Sequence, residues 1–234
     1  MNGNPFGPPE GAPSGWPSGI LGELPEGSMT FDCDLFLLDL GNVLVKFDHA
    51  IIARKLSKLS RQPIFSIVSK FIRSGLGELF DEGKITADEF VSRVIRDLSL
   101  KITPEEFKKI WNEMFVESPG MEAIVKEIKK KYPVFVISDT NSLHFNFVSK
   151  NFPVMKHVDQ FILSYEIGFR KPHPKIFEEA LRRAHTTAAK TFFADDRKEI
   201  VEAASRMGFR SFHMRDVPSF KKELEHLGFL GVVA

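Results

Sequence analysis

Phe36-Leu37-Leu38-Asp39-Leu40-Gly41-Asn42-Val43-Leu44 is an apolar run that stops at a carboxylate, turns at Gly-Asn and becomes apolar again. Apolar runs of this length, bounded by turn signals, read as buried strands. A strand that closes on Asp39 sets that carboxylate at the C-terminal edge of a sheet, where open α/β sheets bind ligands. Asp39 is therefore the candidate nucleophile, and the other site residues are expected to converge on it.

Downstream the pattern turns helical until Phe115. Ile51, Ile52, Leu56 and Leu59 fit one apolar stripe, and Ile64, Ile67, Val68, Phe71 and Ile72 another. Thr86-Ala87-Asp88-Glu89 has the form of a capping box, and Thr103-Pro104-Glu105-Glu106 opens a further helix. From Ser118-Pro119, read as a helix cap, strands and helices alternate. Val134-Phe135-Val136-Ile137 runs into Ser138-Asp139-Thr140, and Phe161-Ile162-Leu163 follows. After a helix from Pro174 to His185, Thr191-Phe192-Phe193-Ala194 runs into Asp195-Asp196, and Ser211-Phe212-His213-Met214 is the last strand. Strands separated by helices call for right-handed crossovers and a parallel sheet covered on both faces. The expected fold class is α/β, a Rossmann-like doubly wound parallel-sheet core over 29–46 and 116–234, with an all-helical unit over 47–115 inserted after the first strand.

The chain has 234 residues, 43% hydrophobic and 27% charged, the make-up of a soluble globular protein. A net charge of +1 gives no reason to expect a nucleic-acid or membrane partner. The lone Cys33 excludes an internal disulfide framework, suits a reducing compartment and reads as a small core residue. No apolar stretch is long enough to span a membrane and the N-terminus lacks the form of a signal peptide, so a cytoplasmic location is expected. Residues 1–28 alternate Gly and Pro, and no Lys or Arg precedes Lys46. Such a composition reads as a disordered tail, native or joined at Gly27-Ser28 to a chain that starts at Met29.

The polar groups at strand ends and adjoining loops are Asp39, Ser138, Lys171 and the Asp195-Asp196 pair. Taken singly, an Asp at a strand end is as a rule a cap or a solvated turn, a Ser an N-cap, and a Lys a surface charge. The adjacent acids repel unless a cation neutralises them. Together these residues suit one chemistry. Carboxylates of Asp39 and Asp196 can hold a hard divalent cation such as Mg²⁺. The Ser138 hydroxyl, the backbone N–H groups after it and the Lys171 ammonium can hold phosphate oxygens. Asp39 can then attack phosphorus in line and give an aspartyl-phosphate that water hydrolyses.

In this order, Asp39-Leu-Gly-Asn-Val-Leu, Ser138-Asp-Thr-Asn, Gly168-Phe-Arg-Lys171-Pro and Phe-Ala-Asp195-Asp196 resemble the motifs of the haloacid dehalogenase-like hydrolases over about residues 31–230. The helical insertion resembles that family's C1 cap. Leu-Gly-Asn-Val-Leu and Phe80-Asp-Glu-Gly-Lys-Ile-Thr are similar to the subgroup of sugar-phosphate phosphatases that includes α-glucose-1-phosphatase. The resemblance implies Asp39 as nucleophile and metal ligand, Ser138 as the phosphate-binding second motif and Lys171 as the third-motif lysine. Asp196 is then the metal-binding acid, Asp195 its neighbour, and the Gly41 carbonyl a further ligand. Asp139, Asn141 and His144 are candidates for reaching substrate, and Glu82, Lys84 and the segment Arg73 to Glu78 for the cap loop. The implied function is Mg²⁺-dependent hydrolysis of a small phosphorylated metabolite, a sugar phosphate favoured.

Two departures from the family pattern bear on turnover. Gly41 stands where most of the family's phosphatases carry a second Asp as general acid and base, with Asp48 as a substitute acid or simply a helix N-cap. Ile200 stands where Asn or Asp usually ties down the fourth-motif loop, which suggests a looser metal loop unless Glu199 compensates. A degenerate member that binds a phosphorylated ligand without turnover is the alternative. A 2-haloacid dehalogenase is disfavoured because displacement of halide needs no acidic pair. A receiver domain would place its acidic pair before the acceptor Asp, and no Gly-x-Gly-x-x-Gly follows a strand to suggest a dinucleotide fold.

Overall fold

The computed structural model describes residues 31–231, so the tail over 1–28 lies outside the described residues. In chain order the strands are β1 (Leu35–Leu38), β2 (Val45–Phe47), β3 (Phe115–Glu117), β4 (Val134–Ser138), β5 (Gln160–Leu163), β6 (Thr191–Asp195) and β7 (Arg210–His213). β1 is central. It pairs in parallel with β4 on one side and β6 on the other, and the sheet runs β5-β4-β1-β6-β7. The chain builds outward from β1 through β4 to β5, then returns to β6 across β1. That reversal opens a crevice at the C-terminal strand ends. Asp39 follows β1, Ser138 ends β4 and Asp195 ends β6, so neighbouring strands deliver them to the same edge.

All of β1 is buried because its alternate side chains serve two apolar layers. Phe36 and Leu38 pack with Met121, Val125, Phe192 and Phe220, whereas Leu35 and Leu37 pack with Ile137, Phe177, Phe193 and Ile200. The first layer is covered by α6 (Met121–Lys129), α7 (Ser142–Asn151) and α11 (Val217–His226), and the second by α9 (Pro174–Ala184) and α10 (Lys198–Arg206). A further short helix, Ser164–Ile167 (α8), leads out of β5. Cys33 lies at the margin of the first layer, where burial pushes its thiol up to about 11, so it is a packing residue.

Between β2 and β3 lie α1 (His49–Ser60), α2 (Ile64–Ser74), α3 (Leu76–Asp81), α4 (Ala87–Asp97) and α5 (Pro104–Asn112). They enclose their own core, with Phe80, Phe90, Phe107 and Trp111 at its centre. Thr86 with Glu89 and Thr103 with Glu106 form full capping boxes at the starts of α4 and α5. The expected helical unit is thus present, but its borders fall inside an antiparallel β2–β3 ribbon that the sequence pattern did not reveal. Asp48 is the N-cap of α1, accepting the Ala50 N–H at 2.8 Å, and does not line the site. Ser118 is not a cap; α6 starts after Gly120, which has φ +85° and takes the left-handed turn. Among the described residues no helix is long and apolar enough to cross a membrane.

Candidate active site

The carboxylates at the sheet edge gather around one ammonium. Lys171 Nζ lies 2.7 Å from Asp39 Oδ1, 2.5 Å from Asp195 Oδ2 and 3.2 Å from the Ile137 carbonyl. An ammonium has three hydrogens, so these contacts use all of them. Burial works against the Lys171 charge, but Asp39, Asp195 and Asp139 outweigh it and hold the pKa above the usual lysine value. For Asp39 the balance runs the other way. Burial raises its pKa, Lys171 pulls it down and Asp195 raises it again, for a net upward shift. Burial thus dominates at Asp39, whereas at Lys171 the nearby carboxylates outweigh it. Asp195 is served by Arg197 as well, whose Nε lies 3.7 Å from its Oδ1 and whose backbone N–H donates to it at 2.9 Å.

Asp196 completes the acidic group, and one oxygen from each of Asp39, Asp195 and Asp196 lies within 4.8 Å of the others. With Lys171 this cluster carries net negative charge at a buried edge, and its donors are carboxylate oxygens, the set a hard divalent cation prefers. The carboxylates of Asp39, Asp195 and Asp196 therefore fit such an ion. Asn42, in the left-handed region at φ 56°, donates Nδ2 to Asp196 Oδ2 at 2.8 Å. His213 Nε2 lies 3.0 Å from the Asp196 carbonyl. These contacts do the tying-down expected at position 200. Ile200 itself is in the first turn of α10 and packs in the sheet core, so the fourth-motif loop is anchored from Asn42 and His213 instead.

The second motif is clamped to the third and fourth. Asp139 Oδ1 accepts the Lys171 backbone N–H at 2.8 Å and Oδ2 accepts Arg197 Nη2 at 2.8 Å, so this carboxylate fixes loops. Ser138 ends β4 with its side chain on the site cavity and makes no hydrogen bond to other described residues. Asn141 caps α7, its Oδ1 accepting the His144 N–H at 3.1 Å, while its Nδ2 donates to Asp81 Oδ1 at 2.9 Å on the helical insertion. His144 stacks on Trp111, and its Nε2 lies 3.2 Å from the Trp111 carbonyl. A carbonyl only accepts, so Nε2 carries the proton, and Nδ1 takes the Asn141 amide at 3.3 Å. Burial lowers the His144 pKa to about 3, with neighbouring His49 adding slightly.

That arrangement carries a pH prediction. The unfolded chain protonates His144 near 6.5 while the folded chain keeps it neutral, so below 6.5 the unfolded state binds the extra proton. Stability from this group is complete above 6.5 and falls as pH drops toward 3, at a slope approaching about 1.4 kcal/mol per pH unit. Urea melts of wild type and His144→Gln from pH 7 to 4.5 should differ by that slope; equal slopes would show that His144 is not held neutral.

A cavity of about 300 Å³ lies between sheet edge and insertion, with Lys171 and Asp195 behind its lining. The core supplies Asp39, Ser138, Arg170, Asp196 and Arg197, and the insertion supplies Phe71, Phe80, Asp81 and Trp111. Arg170 Nε and Trp111 Nε1 are buried donors without a partner among the described residues. Of the cap-loop candidates, Gly77 in the segment Arg73 to Glu78 lines the cavity, whereas Glu82 and Lys84 pair with each other outside its lining and Glu78 reaches only to 3.9 Å from Arg170. Asp81, one residue before Glu82, is the carboxylate that enters. Asp81, Arg170, Arg197 and Trp111 were not singled out from sequence; the only signal was the adjacency of Asp81, Arg170 and Arg197 to motif residues.

Gly41 admits a side chain only if the Phe47 ring moves. A Cβ there would lie 2.4 Å from Phe47 Cε1, and the Phe47 ring packs edge-on against His49 and Phe115. Gly41→Asp is expected to lose about 1–3 kcal/mol from overpacking, and adding Phe47→Ala should recover much of it. Thermal melts of the single and double variants check this; a neutral single variant would contradict it.

With the site in view, comparison with known proteins is specific. The family model for haloacid dehalogenase-like hydrolases matches residues 29–214, and the chain belongs to that family. It is 27% identical over 196 residues to a D-ribitol-5-phosphate phosphatase of Bacteroides thetaiotaomicron, covering 80% of this chain and 95% of the relative. It is 24% identical over 201 residues to a sesquiterpene phosphatase of Aspergillus oryzae, covering 85% and 97%. A crystal structure of a family enzyme from Bacteroides thetaiotaomicron, in complex with magnesium and inorganic phosphate, superposes with TM-score 0.71 at 27% identity, covering 77% of this chain and 93% of that one.

Proposed function

We propose that this protein is a Mg²⁺-dependent phosphatase of a small phosphorylated metabolite, acting through an aspartyl-phosphate on Asp39. The observation that carries the reading is the acidic cluster of Asp39, Asp195 and Asp196 at the sheet edge, with Lys171 Nζ between Asp39 and Asp195. Relatives named as phosphatases over nearly their whole length support it. Bound Mg²⁺ supplies the positive charge that lets an anionic nucleophile approach an anionic ester. Lys171 neutralises and orients Asp39, so that the free oxygen of Asp39 attacks phosphorus and the ester P–O bond breaks. The Ser138 hydroxyl, the backbone after it and the Arg170 and Arg197 guanidiniums hold phosphoryl oxygens. The segment 47–115 acts as the cap that encloses the reaction.

A sugar or polyol phosphate is the favoured substrate. The insertion offers the ring of Phe71 for an apolar sugar face, and the Arg170 and Arg197 guanidiniums on the core side of the cavity suit hydroxyl or phosphate oxygens. The specific observation favouring the degenerate alternative is Phe47 filling the place of the missing acid.

The test is a panel of p-nitrophenyl, sugar and polyol phosphates with Mg²⁺ or EDTA, with 2-chloropropionate as the dehalogenase control. Metal-dependent phosphate release is expected; binding without release favours the degenerate reading, and chloride release in EDTA would favour a dehalogenase. Independently of turnover, Mg²⁺ at a hundredfold excess over its Kd should raise stability by about 2.7 kcal/mol. Asp196→Asn should lose most of that gain, and an unchanged gain would remove Asp196 from the metal site.

A further inference from the structure

An alkoxide leaves phosphorus slowly unless it receives a proton as the P–O bond breaks. The turn after Asp39 has no group to give one, and the cavity's other titratable side chains narrow the search. Asp139 has both oxygens engaged. His144 has both ring nitrogens engaged. Asp196 is bound by Asn42 within the acidic cluster. Asp81 and His49 remain.

Asp81 ends α3 and is the carboxylate that the insertion brings into the cavity. Its Oδ1 accepts from Asn141, whereas Oδ2 has no hydrogen-bond partner among the described residues. Its main chain is anchored as well. The Asp81 carbonyl lies 2.5 Å from Ser164 Oγ, which accepts the Thr140 N–H at 2.9 Å and so ties Asp81 to the loop after β4. Nearby, Gly83 passes so close to the core that a Cβ would sit 2.1 Å from the Tyr165 carbonyl oxygen. The placement of Asp81 is thus set from both sides by core contacts.

We propose that Asp81, carried by the insertion, is the proton carrier of this site and takes the part that Gly41 cannot. The proposal rests on the phosphatase reading above. In the first half-reaction Asp39 forms a bond to phosphorus, the ester P–O bond breaks, and the Asp81 Oδ2 proton passes to the departing oxygen. Alcohol leaves, with a phosphoryl group on Asp39 and a carboxylate on Asp81. In the second, Asp81 takes a proton from water as that water attacks phosphorus and the Asp39–phosphorus bond breaks. Inorganic phosphate leaves and both residues return to their starting forms.

The surroundings suit both roles. Burial holds the Asp81 carboxyl up at about 6, with Asn141 and Arg170 pulling it down and Asp139 and Glu78 pushing it up. Such a group can give a proton near neutral pH and take it back. His49 is exposed at the start of α1 and no hydrogen bond fixes its ring among the described residues, so Asp81 is the better-positioned donor. Because Asp81 is held through Asn141 and Ser164, the leaving group is protonated only while the insertion is docked.

The experiment measures kcat/KM over aryl phosphates of graded leaving-group basicity and an alkyl phosphate, with Mg²⁺. Wild type, Asp81→Asn, His49→Gln and Asp39→Asn are compared. Asn at 81 keeps the oxygen that Asn141 needs, so the dock survives. Asp81→Asn should lose about 10²–10⁴-fold on the alkyl ester and least on p-nitrophenyl phosphate, which steepens the leaving-group dependence. With p-nitrophenyl phosphate it should also release a burst stoichiometric with enzyme, because the phosphoenzyme now lacks its base. An equal loss on every ester, no change, or a steeper dependence in His49→Gln instead would overturn the role. Wild type inert toward every ester would sink the phosphatase reading and this role with it. Active wild type whose leaving-group dependence is shared by Asp81→Asn would sink the role of Asp81 alone.

Discussion

Asp39→Asn is expected to lower metal-dependent phosphate release by about 10⁴-fold or more. The amide keeps the shape of the side chain and its contact with Lys171, but it is no nucleophile and a far weaker ligand for a hard cation. Its effect on folding should be small. Burial already penalises the Asp39 carboxylate, and removing one negative charge beside Asp195 relieves that penalty. The variant should therefore melt within a few degrees of wild type while losing activity. Retention of activity to within tenfold would mean that the nucleophile lies elsewhere.

Lys171→Met is expected to unfold easily as well as to be inactive. The Lys171 side chain is fully buried and lies against two buried carboxylates. Met fills a similar volume without charge, leaving Asp39 without its cation and Asp195 with Arg197 alone, whose Nε lies 3.7 Å from Asp195 Oδ1. Breaking one side of a buried ion group costs about 3–5 kcal/mol, which urea denaturation in EDTA would register. Mg²⁺ should return part of the loss, since it neutralises the same carboxylates. A change below about 1 kcal/mol would mean that water, not Lys171, balances those charges.

How far the site was legible in the sequence depends on what places each residue. Asp39, Ser138 and Asp195-Asp196 each close an apolar run, and in a parallel sheet such ends share an edge, so local pattern located them. Lys171 followed from its motif and stands in the middle of that cluster. The helical nature of 49–112 was legible from apolar stripes and from the Thr86 and Thr103 boxes. The β2–β3 ribbon was not, because strands this short show no alternation. Ile200 read as a departure in a metal loop and is a core residue, since the anchoring is done by Asn42, far away in sequence. Asp81 was passed over for its neighbour Glu82, because which side of α3 faces the cavity depends on how the insertion docks at Asn141 and Ser164. The blocking of position 41 by Phe47 is likewise a packing fact that no local pattern carries.

The central claim is that phosphorus is transferred to Asp39. Enzyme mixed with a turned-over phosphate ester and Mg²⁺, quenched in acid within milliseconds and digested, should carry one phosphoryl group on the peptide containing Asp39. Asp81→Asn should carry more of it and Asp39→Asn none. Phosphate release without any phosphoryl adduct, or an adduct on another peptide, would contradict the account.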